Sequence, residues 1–402
     1  MTDSFTNLSD LRNSNGALHY VYKALRESKV LRKRNPGLQK LAAQAVLLMG
    51  FSVGLSSHAW AENPWYPFPV EIPIKNETNT AVTKLAVDYT PVSGTEKPWK
   101  LCVSFPHMKD SYWLAVNFGV ATEVKRLGAR MRLFQAGGYD NLATQIRQIR
   151  ECVASGTDGV IIGAISFDGL NDLVKEIRDA GIPVIDVING MSSDVLSARS
   201  LVSFEEMGYR AGEYIAQRHP KGGPVAKIAW FPGPKDAGWV KVGDSGFKKA
   251  IANGSVELLA TRYGDTGKRA QTALLEEVLE AHPDLDYIAG TAVTAAAAVK
   301  VLRLRGSQKQ VKVVAYYFTP DVYRGIKRGH ILAAPTDSAV IQGRIAVDQA
   351  IRILEGKPYH KQVGPKIYVI DQQNINSFDR STSLAPSGFR ATYSTNVRLN
   401  EE

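Results

Sequence analysis

The sequence predicts an α/β fold built as two Rossmann-like, doubly wound lobes joined by a hinge. Three observations carry this. From residue 98 onward, apolar strand signals alternate at short spacing with segments of helical period, the pattern of parallel strands covered by helices on both faces. The alternation runs for roughly 290 residues, more than one sheet of ordinary width absorbs. Finally, Phe105-Pro106-x-x-Lys109-Asp110-x-x-Trp113 recurs 126 residues on as Phe231-Pro232-x-x-Lys235-Asp236-x-x-Trp239, each copy following an apolar strand and opening a helix. Chance matches with ordinary capping are the alternative. Strand-to-helix loops of this kind lie at the carboxyl edge of a sheet, where ligands bind, so two matching edges describe a cleft. Asp110 and Asp236 suit the helix starts as caps, with Tyr112 and Trp113 in the first turn.

The elements follow in order. Leu101–Phe105 is an apolar strand, and Tyr112, Trp113, Val116, Val120 and Val124 recur at helical spacing. Arg130–Phe134 alternates as a strand. Leu142, Ile146, Ile149 and Val153 form a helix face. Val160-Ile161-Ile162 and Ile182–Ile188 read as buried strands. The pattern continues through Lys227–Phe231, Phe247–Ala252, Val256–Ala260, Thr272–Ala281, Tyr287–Gly290, an alanine helix Ala295–Leu302, Val311–Tyr317 and Ile341–Leu354. Residues 62–97 hold five prolines and little helical period, and read as an extended arm or edge segment. The expected organisation is 98–203 plus 338–365 for the N-terminal lobe, 204–337 plus 366–384 for the C-terminal lobe, and 385–402 as a tail.

The chain carries 49 Lys and Arg against 39 Asp and Glu, a net charge of +10, which raises the question of a nucleic-acid or membrane partner. Half of that surplus sits in residues 1–61, with eight basic and three acidic side chains. There Arg32-Lys33-Arg34 and Lys40 precede an uncharged apolar run, Leu41–Leu55, and then Ala59-Trp60-Ala61. A basic region, a short apolar core and a small-x-small site make a secretory signal cleaved near Ala61. The core is short for a transmembrane helix; an uncleaved anchor is the alternative. Residues 1–30 form an unusually long N-terminal extension. Without 1–61 the remaining +5 is spread with no basic run, so no nucleic-acid partner is expected. Export means an oxidising compartment, the periplasm of a Gram-negative cell. The two cysteines, Cys102 and Cys152, lie beyond the cleavage site, and one disulfide between them is expected; two buried thiols acting as small hydrophobes are the alternative.

Catalytic signatures are missing. No G-x-x-x-x-G-K-[ST], H-E-x-x-H, G-x-S-x-G or C-x-x-C occurs. Gly264-Asp-Thr-Gly267-Lys268 is too short for a phosphate loop and reads as a turn. His107, His219, His282, His330 and His360 never sit at metal spacing. The expectation is a binding protein that is not an enzyme, with no cofactor and no metal.

Several landmarks together resemble a known family. Asp158-Gly-Val-Ile after a helix, Phe247 closing a Gly-rich helix, Thr319-Pro320-Asp321 and Gln342-Gly343-Arg344-x-Ala346 are similar to those of the type I periplasmic binding proteins of the ribose-binding class. A narrower resemblance, to the branch that senses trimethylamine N-oxide, runs through Trp99-Lys-Leu-Cys102, Lys109-Asp-Ser-Tyr-Trp-Leu114, Ala136-Gly-Gly-Tyr139, Met207-Gly-Tyr209, Pro232-Gly-Pro234, Ala289-Gly-Thr-Ala292, Val322-Tyr-Arg-Gly325 and Ser387-Gly-Phe-Arg390. These cover nearly the whole exported chain. The resemblance implies a periplasmic sensor that binds this small ligand between its lobes and signals through a membrane sensor histidine kinase. A substrate-binding protein of an ABC importer is the alternative, and a secreted enzyme the third reading.

Sugar binders of the class line the cleft with Asp, Asn, Arg and Gln, because each hydroxyl needs a partner. By comparison this chain has Ser203-Phe204 for an Asp-Asn pair and Ile188-Asn189 for an Asp-Arg pair. It has Lys241 for an arginine, Thr291-Ala292-Val293 for an Asn-Asp-Glu turn, Tyr316-Tyr317-Phe318 for a Phe-Asp-Gly turn, and Asp337 for the usual Gln. The expected site is therefore aromatic and poor in hydroxyl partners: Asp110, Tyr112, Trp113, Tyr139, Asn189, Phe204, Trp239, Tyr316, Phe318 and Asp337. Tyr316 rather than Tyr317 is expected to face inward, since strand neighbours alternate. Ring faces attract the methylated cationic head at roughly 0.5–2 kcal/mol each, while Trp113 N–H, a Tyr hydroxyl or Asn189 serves the oxygen. Asp110 either faces the methyl shell or only caps its helix. Sensors of this branch often carry Trp where Phe204 stands, so one indole donor is missing here.

Overall fold

The computed structural model describes residues 64–75 and 82–395. The secretory signal expected over 1–61 lies outside them. The expected alternation appears as two sheets, each with helices on both faces. The first holds nine strands in the order β15-β4-β3-β5-β6-β7-β13-β1-β2 and the second six, β14-β12-β11-β10-β8-β9.

In the first sheet, β3 (Lys100–Phe105), β4 (Arg130–Gln135), β5 (Gly159–Ile162), β6 (Val184–Val187), β7 (Ala198–Ser200) and β13 (Gln362–Pro365) run parallel. β5 and β6 are buried along their whole length, as strands covered on both faces must be. Helices α1 (Ser111–Leu127), α2 (Leu142–Ala154), α3 (Asn171–Asp179) and α9 (Ala339–Leu354) cover it. In the second, β8 (Ala226–Gly233), β9 (Val256–Tyr263), β10 (Tyr287–Gly290), β11 (Lys312–Ala315) and β12 (Ala333–Thr336) run parallel with β14 (Tyr368–Asp371) antiparallel at the edge. Its helices are α4 (Phe204–Ala216), α5 (Gly238–Ile251), α6 (Lys268–Ala281), α7 (Ala292–Arg305) and α8 (Pro320–Lys327). The chain passes between the sheets after β7, after β12 and after β13, and returns to the first sheet with β15 after β14. The first three passages make a hinge.

Residues of the proline-rich stretch form a hairpin, β1 (Phe68–Lys75) with β2 (Val82–Tyr89), added antiparallel to β13. Its proximal face, Val70 and Tyr89, closes over Ile341 and Ile345 of α9. Buried Asp348 ties it down, accepting from the Tyr89 hydroxyl, Val92 N–H (2.7 Å) and Arg352 Nε (2.6 Å). At the opposite edge β15 (Ser394–Thr395) pairs with β4. A disulfide joins Cys102 of β3 to Cys152 of α2. Among the described residues no helix is long and apolar enough to cross a membrane.

Candidate ligand cavity between the lobes

The repeated Phe-Pro-x-x-Lys-Asp-x-x-Trp segments deliver the two indoles of the site. After β3, Asp110 caps α1 by accepting the N–H groups of Tyr112 (3.1 Å) and Trp113 (3.2 Å), satisfying donors a helix start leaves open. The second copy differs. The N-cap of α5 is Ala237, without a side-chain bond, so Asp236 is not the cap expected of it: the helix begins one residue later, beyond its reach. Both indoles still fall in the first turn, and each rests on a glycine at a strand end. A Cβ on Gly163 would lie 2.4 Å from Cη2 of Trp113, and one on Gly233 2.6 Å from Cη2 of Trp239.

These side chains meet in a cavity of about 20 Å³ lined by Asp110, Tyr112, Trp113, Tyr139, Ile188, Asn189, Phe204, Trp239, Thr266 and Tyr317. The first six come from the first lobe and the last four from the second. All stand beyond the carboxyl ends of parallel strands or at the helix starts that follow. The rings form a connected shell. Tyr112 meets Tyr317 edge-on at 5.1 Å, Tyr317 meets Trp239 at 6.1 Å, and Trp239 contacts Phe204 at 5.8 Å and Tyr139 at 6.3 Å. Asn189 donates to the Tyr139 hydroxyl oxygen (3.0 Å) and to the Ala164 carbonyl (2.7 Å). It is presented by Ile188, a β-branched residue at φ +71°, an unfavourable conformation held by its surroundings. The Trp239 indole N–H is fully buried and close to the Tyr139 hydroxyl, yet among the described residues it has no partner with hydrogen-bond geometry. Burial pushes the Asp110 carboxyl above its ordinary range, opposed by the two backbone N–H bonds and by His107.

Seven of the ten expected ligand residues line this cavity, and three do not. Tyr316 lies behind the wall, donating to the Trp239 carbonyl (3.0 Å) and stacked under its ring at 5.8 Å. Tyr317 takes the inward place. The expected alternation fails because β11 ends at Ala315 and residues 316–317 form a bend, where the period of two no longer holds. Phe318 packs instead against Tyr323 and Phe378 within the second lobe. Asp337 stands one layer back, accepting from the Tyr112 hydroxyl and from Gln342 Nε2 (2.7 Å), so it orients Tyr112 from behind. Ile188 and Thr266 were not expected. Thr266 lies in the Gly264–Gly267 turn after β9, whose position at a strand's carboxyl end was the available signal. An open groove of about 800 Å³ shares Ile188, Asn189, Phe204 and Trp239 with the cavity and runs beside the hinge strands and the hairpin.

Two lobes on a three-stranded hinge, with a small aromatic cavity between them, define a binding protein of the periplasmic type. The family described as periplasmic binding protein domain matches residues 101–358, and the chain belongs to it. It is 38% identical over 298 residues to the periplasmic protein TorT of Escherichia coli K12, covering 74% of this chain and 85% of that protein. A solved ABC transporter solute binding protein from Bradyrhizobium sp. BTAi1, with bound Bis-Tris, is 53% identical, with a TM-score of 0.71 over 82% of this chain and 98% of its own. TorT in its complex with the TorS sensor domain, crystallised in the presence of trimethylamine N-oxide (TMAO), gives 34% identity and a TM-score of 0.68 over 73% of this chain and 99% of its own. The protein is periplasmic, as its family and these relatives are.

Proposed function

We propose that this protein is a periplasmic sensor, not an enzyme, that encloses trimethylamine N-oxide between its lobes and passes the signal to a TorS-like membrane histidine kinase. One observation carries the ligand: an aromatic cavity holding a buried indole N–H, Trp239, with no hydrogen-bond partner among the described residues. A donor left unpaired in such a place costs about 1–3 kcal/mol, and a ligand oxygen recovers it. The Tyr139 hydroxyl, whose oxygen accepts from Asn189, has its own proton to donate to the same ligand oxygen. The faces of Trp113, Tyr112, Phe204 and Tyr317 then suit the methyl shell around the cationic nitrogen, each for roughly 0.5–2 kcal/mol. Asp110 adds a carboxylate at the rim. Too few polar partners stand around the cavity for a ring of hydroxyls, and its space of about 20 Å³, roughly that of one water, means that the lobes part slightly to admit even a compact tetrahedral head. The likeness to TorT and its kinase complex supports the signalling role, since a kinase reads a lobe motion only if the ligand binds the two states unequally.

A second reading is the solute-binding protein of an ABC importer. It is favoured by the 53% identical protein described as such, solved holding Bis-Tris, a tertiary amine with hydroxyalkyl arms. Calorimetric titration with trimethylamine N-oxide, betaine, choline and ribose tests the ligand. Tight ribose binding with no heat from the N-oxide refutes it. Co-purification with the kinase's periplasmic domain, enhanced by the N-oxide, separates sensor from importer.

A further inference from the structure

Two loops meet across the mouth of the cavity. The first, between β3 and α1, carries His107 and Lys109; the second is the Gly264–Gly267 turn between β9 and α6. His107 Nε2 lies 3.1 Å from Thr266 Oγ1, and this contact is buried. The Lys109 backbone N–H donates to His107 Nδ1 at 3.3 Å. That bond settles the tautomer. A nitrogen accepting a proton donor carries none of its own, so Nε2 holds the proton and donates to Thr266. Outside it, Lys109 Nζ pairs with Asp265 at 3.2 Å, both partly exposed. The turn is itself braced: Gln271 Nε2 donates to the carbonyls of Gly264 (3.2 Å) and Asp265 (2.8 Å), and Gln271 accepts from Thr294 (2.7 Å). Thr266 also lines the cavity.

We propose that neutral His107 is a positioning residue for ligand capture, latching the Gly264–Gly267 turn of the second lobe over the occupied cavity. The latch joins the lobes only when they are closed, so its free energy adds to ligand affinity and not to the stability of either lobe. Protonation breaks it. An imidazolium has no acceptor, so the Lys109 N–H loses its partner, and a charge is placed where the ring has no access to water.

The direction of the pH effect follows. Burial lowers the His107 pKa from the ordinary 6.5, with Lys109 lowering it further and Asp110 and Asp265 opposing. The Tyr139 ring packs beside it, edge-on at 5.5 Å. With the lobes open the ring is wet and titrates normally. The closed state therefore binds the proton less well than the open state. Affinity is full above the ordinary histidine value and falls as pH drops through it, by up to about tenfold per pH unit.

The inference deepens the proposed capture role and rests on it for the choice of probe. Titration calorimetry with trimethylamine N-oxide at pH 7.5, 6.5 and 5.5 compares wild type, His107→Ala and His107→Gln. Glutamine offers one acceptor and one donor as the neutral ring does, and does not titrate. Expected at pH 7.5 is a loss of about tenfold for alanine and recovery of most of it for glutamine. Between pH 7.5 and 5.5 the wild type weakens and the glutamine variant stays within about twofold. A ligand-independent arm places spin labels at exposed Asp140 and Lys268, as Asp140→Cys and Lys268→Cys, and measures the mouth directly. It should widen on acidification in wild type and not in His107→Gln. If the N-oxide gives no heat but the mouth widens, the ligand assignment fails and the latch stands. Equal acid sensitivity in wild type and His107→Gln overturns the latch and assigns the effect to Asp110. Full affinity in His107→Ala overturns it as well.

Discussion

Trp239→Phe separates the two parts of the ligand site. The replacement keeps an aromatic face in the shell and removes one N–H. That N–H is buried with no hydrogen-bond partner among the described residues, so its removal breaks no hydrogen bond within the protein. The benzo ring, whose Cη2 rests over Gly233, is lost too, and the small void costs about 1–2 kcal/mol. Relief of the unpaired donor, about 1–3 kcal/mol, offsets this, and the melting temperature should move by no more than a few degrees. The ligand tells a different story. A hydrogen bond to an oxygen bearing negative charge contributes about 1.5–3 kcal/mol, so the N-oxide should bind about 10–150-fold more weakly. Tetramethylammonium keeps three of the methyls, carries a fourth in place of the oxygen, and should lose little. The assay is paired titration calorimetry of both ligands with both proteins. The ratio of the two dissociation constants should change at least about tenfold. Equal weakening of both ligands would show that Trp239 acts through its ring alone, and no weakening of either would remove it from the site.

Three further outcomes follow from the same geometry. Trp113→Ala should lower N-oxide affinity at least tenfold, about 1.4 kcal/mol; unchanged affinity by calorimetry would make Trp113 a packing residue only. Gly163→Ala puts a Cβ 2.4 Å from Cη2 of Trp113, so the ring must shift by about 1 Å. Affinity should fall about tenfold or more while circular dichroism stays native, since small misplacements of a recognition group are costly. Thiol labelling under denaturing, non-reducing conditions should find no free cysteine. Replacing Cys102 and Cys152 together should lower stability by about 2–4 kcal/mol in denaturant titration, given the 50-residue separation they close.

Much of the first lobe was legible because its signals are local. β3, β4, β5 and α2 are contiguous apolar runs or single helix faces, and each appears within a residue or two of its expected place. The hairpin β1–β2 was legible only as extended chain. Its pairing partner, β13, lies nearly 300 residues away in sequence, and nothing in a proline-rich segment specifies which edge it joins. The internal echo correctly marked two helix starts carrying Trp113 and Trp239, yet Asp110 caps and Asp236 does not. Capping depends on where the helix begins to within one residue, and that is set by packing. Tyr316 and Tyr317 show the same limit. Strand alternation assigns faces only while the strand lasts, and β11 stops at Ala315.

The sequence by itself determined the class of fold, its two related lobes, the aromatic character of the cleft and most of the side chains that form it. Those properties follow from periodicity and composition, which each segment carries alone. Only the tertiary structure decided which rings line the cavity and which support them, that Asp337 holds Tyr112 from behind, and that Thr266 and His107 meet across the mouth. These are relations between segments on different lobes, fixed by how far the hinge lets two sheet edges approach, and no single stretch of sequence encodes that distance.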